Sequence, residues 1–319
     1  MPMKTRETRR DAFTLIELLV VISIIALLVG ILLPALGAAR KSAQSAVCLG
    51  HQRSMGQGIA IYASENRDWL AGPYTSGMRP SATGEITPRD GATSPVQNTD
   101  WISPSLGDSL GLPSDREDRI VAIANDELSC PSNDVTTLGG FAGSQKYQSY
   151  SATLGFHHLN AADNPYMPNL ATEIFVENPL GYRPRLDRVG PPSNKVAAMD
   201  GARFVDNWGA AEGVERTTSY NDFAKQIRGG NYMEFGPRVA YENGPWEYEN
   251  SNNGDVPLSS SLSLGFRHSG GINTVYFDGH GASMKASEAH ATGGITLENL
   301  QPWFPTGAIV GGNSSNTIR

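Results

Sequence analysis

A chain of 319 residues with 39% hydrophobic side chains has material for one or two folded domains, which excludes wholesale disorder. Its formal net charge of −7, with no basic stripe after residue 40, argues against nucleic acid as a general electrostatic partner. The 35 glycines and 20 prolines, with abundant Ser and Asn, predict a fold rich in loops.

The first 12 residues carry Lys4, Arg6, Arg9 and Arg10, and Leu18–Leu36 then runs for 19 residues without a charge. At about 1.5 Å per residue that run matches the ~30 Å hydrocarbon core of a bilayer. The basic flank places the N-terminal side in the cytoplasm, so residues beyond about 40 are exported. Glu17 breaks the pattern. A carboxylate at the start of an apolar helix is costly at membrane depth and marks a functional position.

Phe13-Thr14-Leu15-Ile16-Glu17 behind a short basic leader resembles the type IV pilin-like proteins, which include pilins and type II secretion pseudopilins. The resemblance implies that a membrane-embedded prepilin peptidase removes residues 1–12, cutting between Ala12 and Phe13, and N-methylates Phe13. Ala12 stands where the family usually carries Gly, and is small enough to be accommodated. Pro34 falls where many pilins carry a helix-loosening proline. In a filament of bundled helices, Glu17 would pair with the terminal amine of a neighbour's Phe13 and set the axial register. Losing the leader would leave the remainder near a charge of about −9. The plainer alternative is a signal-anchor with an incidental Glu. A cleavable secretory signal fits less well, because its apolar core usually runs only about 7–15 residues.

Residues 35–66 continue the helix, giving a single element over 13–66 of about 54 residues and ~80 Å. Cys48, Met55, Ile59 and Tyr62 share one face, opposite Lys41, Gln44, Arg53 and Gln57. Gly50, Gly56 and Gly58 either permit close approach of a sheet or unwind the helix locally. The apolar stripe should rest on an exported head spanning 67–319.

Within that head, 71–100 is turn-rich, and Trp101-Ile102 with Leu106–Leu112 forms a short packed element. Leu128-Ser129-Cys130-Pro131-Ser132 resembles the Cys-Pro-Ser segment of one pilin-like subfamily, and Ala46–Gly56 matches another of its stretches in part. Two cysteines in an exported chain favour a Cys48–Cys130 bond, which would stabilise by about 4 kcal/mol in the chain-entropy model. The alternative is two unpaired buried thiols. Ser149–Gly155 reads as a strand. His157 and His158 would point to opposite faces of it and so do not share a metal. Residues 160–192 read as a surface loop, and Val196–Gly201 as a short buried strand. The aromatics of 205–260 sit in a polar context.

Near the C-terminus, Ile272–Phe277 alternates as a strand, Asp278-Gly279 signals a hairpin turn and Ala282–Lys285 returns. His268, with Asp278 and Gly279, forms a His-X9-Asp-Gly signature over 268–279. It resembles the C-terminal, processing-associated domain found behind prepilin-type N-termini. His268, Asp278, His280 and Asp200 converge either as an acid–base or metal cluster or, more plainly, as turn supports: Asp278 capping, Gly279 supplying positive φ, and His268 bonding across the hairpin. Calcium is the metal to expect if there is one, on Asn252, Asn253 and Asp255; otherwise no cofactor is expected.

These readings combine into an α+β, pilin-like fold: a long N-terminal helix, transmembrane over 15–36, on an antiparallel sheet with large loop-rich inserts. The resemblance implies a non-enzymatic pseudopilin or minor pilin, held in the inner membrane with its head periplasmic or extracellular. Its partners would be prepilin peptidase, other pilin-like subunits and a type IV pilus or type II secretion machinery, without nucleic acid. A competing reading is an exported enzyme or glycan-binding module on a pilin-type anchor, with a cleft joining His268, Asp200 and Asp278 or a row of exposed aromatics over 205–250. A third is a membrane protein that keeps its leader.

Overall fold

The computed structural model describes residues 14–72, 91–94, 101–115, 118–119, 122–123, 128–133, 136–140, 143–146, 149–157, 159–160, 163, 176–200, 232–233, 267–285, 288, 297–311 and 314–319. In chain order the helices are α1 (Leu15–Glu65), α2 (Ile102–Leu106) and α3 (Leu297–Leu300). The strands are β1 (Thr136–Gly140), β2 (Gly143–Lys146), β3 (Tyr150–Thr153), β4 (Val176–Glu177), β5 (Val196–Asp200), β6 (Tyr232–Met233), β7 (Gly271–Tyr276), β8 (Gly281–Lys285) and β9 (Ile309–Val310). The chain divides into two units, Met1–Ala43 and Gln44–Arg319.

In the first unit, the large apolar side chains from Leu15 to Leu36 are exposed. An all-apolar helix surface with nothing packed on it is stable in hydrocarbon rather than in water. Its only hydroxyl within the run, Ser23, donates back to the Val20 carbonyl at 2.8 Å, which removes the cost of an unpaired polar group there. The helix passes through Pro34 without a break.

In the second unit, α1 buries Cys48, Gln52, Met55, Gly56, Ile59 and Ala63, spaced by three and four residues as one stripe. The stripe meets a five-stranded sheet of order β6-β3-β5-β7-β8. Four of these strands pair antiparallel, and β6 adds to β3 in parallel at the edge. β5 is buried along its whole length, so it reads as an apolar run and not as an alternation. Together these features make a pilin-like α+β architecture: a long helix on an antiparallel sheet, with long chain segments between the strands.

The glycines decide how closely helix and sheet approach. A Cβ on Gly56 would lie 2.7 Å from Val275 Cγ2 in β7, and one on Gly58 would lie 2.9 Å from Leu106 Cγ in α2. A Cβ on Gly50 would meet nothing within 4 Å. The sheet approaches closely at Gly56, α2 and not the sheet does so at Gly58, and α1 is continuous through all three.

Beyond Glu65 the chain turns through Arg67 and Asp68, both at positive φ (56° and 66°). Asp68 N–H closes onto the Ala63 carbonyl at 2.7 Å, satisfying one orphan carbonyl of the last turn. The expected surface loop at 160–192 is corrected in its second half: β4 pairs with β9, and Tyr182 and Val189 are buried. The Tyr182 hydroxyl, pushed well above its ordinary pKa by burial and then by Asp187, donates to the Phe156 carbonyl at 3.0 Å. One aromatic with a satisfied hydroxyl outweighs the local Pro and Asn content.

Candidate functional site

Three sets of sequence-predicted residues fall at three places. At the start of α1, Thr14 and Glu17 form a capping box. The Glu17 carboxylate accepts from Thr14 N–H at 2.9 Å and from Thr14 Oγ1 at 2.8 Å, while Glu17 N–H donates to Thr14 Oγ1 at 3.2 Å. Glu17 is thereby held at the mouth of the apolar segment, with its negative charge at the positive end of the helix dipole. Ala12 and Phe13 lie outside the described residues, as do the calcium candidates Asn252, Asn253 and Asp255.

The second place lies under the helix. Cys48 and Cys130 form a disulfide with a Cα–Cα separation of 5.4 Å. The segment around Cys130 is placed by several bonds: Cys130 N–H to Ser149 Oγ (2.8 Å), Asn133 N–H to the Cys130 carbonyl (2.8 Å), and Gln44 Nε2 to the Pro131 carbonyl (3.2 Å).

Beside the disulfide sits Asp200, the last residue of β5, with its side chain fully buried. Its Oδ1 accepts from Gln52 Nε2 at 2.9 Å and lies 3.7 Å from Arg267 Nη2. Its Oδ2 accepts from Asn273 N–H at 2.6 Å and lies 3.2 Å from His268 Nε2. That same His268 nitrogen is 3.6 Å from Cys130 Sγ. A buried carboxylate is tolerable only when paired and hydrogen-bonded, and here α1, β7 and the segment before β7 all supply partners.

A tight turn aims His268 at this centre. Ser269 and Gly270 have φ of 57° and 81°, the pair of a type I′ turn, and the His268 and Gly271 backbones exchange bonds of 3.2 and 3.1 Å. The expectation that His268 bonds across the Asp278-Gly279 hairpin is thus corrected. Its side chain reaches instead to Asp200 in β5, because the turn precedes β7 and faces the neighbouring strand.

Tyr150, opposite Asp200 in the β3–β5 register, completes the wall, with its hydroxyl 3.0 Å from His51 Nδ1. Burial first, then the Asp200 charge, pushes the Tyr150 phenol far above its ordinary range, with Arg267 opposing. It stays a neutral hydrogen-bonding group.

The third place is the β7–β8 turn. Gly279 N–H donates to the Tyr276 carbonyl at 2.8 Å and Gly279 has φ of 88°, so the connection is a three-residue loop, Phe277–Gly279, closed by a left-handed glycine. Asp278 Oδ1 accepts from His280 N–H at 3.1 Å and lies 2.6 Å from His280 Nδ1. Slight burial pushes the Asp278 carboxyl up, but the hydrogen bonds and charge of His280 outweigh it together and hold it below the usual range. His268 and Asp278 stand before and after β7, at its opposite ends. The structure therefore brings together Asp200 and His268, and does not bring Asp278 or His280 to them.

Gln52, Arg267, Asn273 and Tyr150 are members that sequence reasoning missed. Gln52 had a signal, since it lies one turn after Cys48 on the buried face. Arg267 adjoins His268. Asn273 and Tyr150 carried none that periodicity could separate from ordinary strand residues.

A family model described as the prokaryotic N-terminal methylation motif matches residues 8–33. Comparison with curated proteins and with solved structures returned no match. The chain thus carries a prepilin-type methylation motif, of the kind processed by a prepilin-peptidase-type enzyme, on one apolar N-terminal helix of membrane-spanning or signal-like character.

Proposed function

We propose that this protein is a pilin-like structural subunit, a pseudopilin or minor pilin, cut between Ala12 and Phe13 and assembled into a type IV pilus or type II secretion pseudopilus. The observation that carries the reading is Glu17. A methylation motif matched over 8–33 ends in an exposed apolar helix with a single carboxylate at its mouth. Isolated anchors have no use for that charge, whereas bundled helices use it to neutralise a neighbour's terminal amine and fix their stagger. The leader's basic residues put the N-terminus on the cytoplasmic side of the inner membrane and the head outside.

The head supports a structural and not an enzymatic part. Of the proposed acid–base set, Asp200 and His268 meet with side chains almost wholly withdrawn from solvent, while Asp278 and His280 meet apart from them in an exposed turn. The His268-to-Gly279 signature, like that of the processing-associated C-terminal domain, then divides its labour. His268 ties the sheet to the disulfide, and Asp278-Gly279 shapes a turn.

Glu17→Ala should insert in the membrane as well as the parent and fail to assemble, as read by cell fractionation and by shearing of fibres from the surface or from an overexpressing strain. Intact mass of membrane-extracted protein should begin at Phe13. Normal fibres from the variant, or a retained leader, would overturn the proposal.

A further inference from the structure

Cys48, Cys130 and His268 each bring a ligand atom into one cluster whose members lie within 4.8 Å of one another, and Asp200 joins it through His268 Nε2. Zinc bonds of about 2.3 Å to sulfur and about 2.0 Å to nitrogen or oxygen give tetrahedral edges of about 3.5 Å from S to N and about 3.3 Å from N to O. The corresponding separations here are 3.6 Å from Cys130 Sγ to His268 Nε2 and 3.2 Å from His268 Nε2 to Asp200 Oδ2. Two edges of a tetrahedron are already in place while the sulfurs are bonded to each other.

We infer that Cys48, Cys130, His268 and Asp200 form a zinc-type site when the two cysteines are reduced, and that the disulfide and the metal exclude one another. The chemistry balances with a dithiol as reductant. It passes two electrons and two protons to the disulfide and becomes a disulfide itself. A divalent cation then displaces the two thiol protons to solvent, and the His268 proton moves from Nε2 to Nδ1.

Asp200 Oδ2 exchanges its contact with His268 for the metal while keeping the Asn273 N–H bond. Oδ1 stays with Gln52 and Arg267, the outer partners that hold a liganding carboxylate in place. The cation and Arg267 together neutralise two thiolates and one carboxylate, so the buried site carries no net charge. Two sulfurs and an imidazole select zinc or a similar borderline-soft ion, and reject calcium and magnesium.

The test uses the full-length chain in detergent micelles, once oxidised and once reduced with a dithiol that is then removed under argon. Each sample is titrated with Co2+ and back-titrated with Zn2+. The reduced chain should take up one equivalent of Co2+ with the visible bands of a tetrahedral thiolate site, and Zn2+ should displace it. The oxidised chain should give no bands. His268→Ala should weaken binding by about 10-fold or more, while His280→Ala in the exposed turn should leave it unchanged.

Absence of bands in the reduced chain, or unchanged affinity in His268→Ala, would overturn the inference. Should reduction alone abolish the near-UV signal of buried Trp101 and Trp303, Zn2+ must restore it. Failure to do so would equally overturn the inference.

Discussion

Asp200→Asn isolates the energetic role of the centre beneath α1. The substitution keeps shape and volume but removes the charge and replaces one acceptor by a donor. Either amide orientation sets an NH2 against existing donors: Asn273 N–H (2.6 Å) and His268 Nε2 (3.2 Å) on one side, or Gln52 Nε2 (2.9 Å) on the other. It also leaves Arg267, whose side chain is only 2% exposed, without its carboxylate. Breaking a buried pair on one side costs about 3–5 kcal/mol, because an uncompensated charge remains. In a head of this size that lowers Tm by on the order of 10 °C.

The assay is urea unfolding in micelles, followed through Trp101 and Trp303, both fully buried. Arg267→Met in the Asp200→Asn background should recover about 1 kcal/mol or more of the loss. A loss below about 1 kcal/mol, or strict additivity of the two substitutions, would refute the reasoning.

Gly56→Ala should destabilise by roughly 1–2 kcal/mol despite its helix propensity, since its methyl would press on the stiff, buried Val275. Gly50→Ala, facing open space, should stabilise by about 0.5–1 kcal/mol in the same urea series, and equal signs for the two would contradict the packing described. Serine at both Cys48 and Cys130 should cost about 4 kcal/mol, given their separation of 82 residues, and non-reducing peptide mapping of the parent should recover the linked pair. Lys195, buried with its ammonium donating to the Gln301 carbonyl at 2.7 Å, is pulled down by burial to about 8. The unfolded lysine holds its proton to a higher pH, so stability should rise between about pH 8 and the ordinary lysine range near 10.5. Lys195→Met should flatten that rise, and parallel stability profiles for parent and variant would rule the effect out.

The helix was readable in the sequence because two strong signals overlap in it. An uncharged run sets Leu18–Leu36 apart, and a three-four stripe marks Cys48, Met55 and Ile59 as core. The β7–β8 hairpin was equally plain, through alternation bounded by Asp278-Gly279. Sequence reading paired His268 with that hairpin because nine residues look like one strand and its turn. The type I′ turn at Ser269-Gly270 intervenes and delivers His268 to β5 instead. Asp200 was grouped with His268, but with Asp278 and His280 as well, since nothing local tells a buried carboxylate bonded by Gln52 and Asn273 from an exposed turn residue. β4 and buried Tyr182 were hidden by surrounding Pro and Asn, because β4 pairs with β9, more than a hundred residues away, and Tyr182 bonds to the Phe156 carbonyl. The tertiary partner, and not the local pattern, decided both cases.

The covalent link at Cys48 and the Gln52–Asp200 bond grip successive turns of the same helix. A pull applied to the segment around Cys130 is therefore delivered to α1 through a covalent bond that thermal force does not break. In single-molecule extension, full unfolding of the reduced chain should release more contour length than that of the oxidised chain, by the segment between residues 48 and 130.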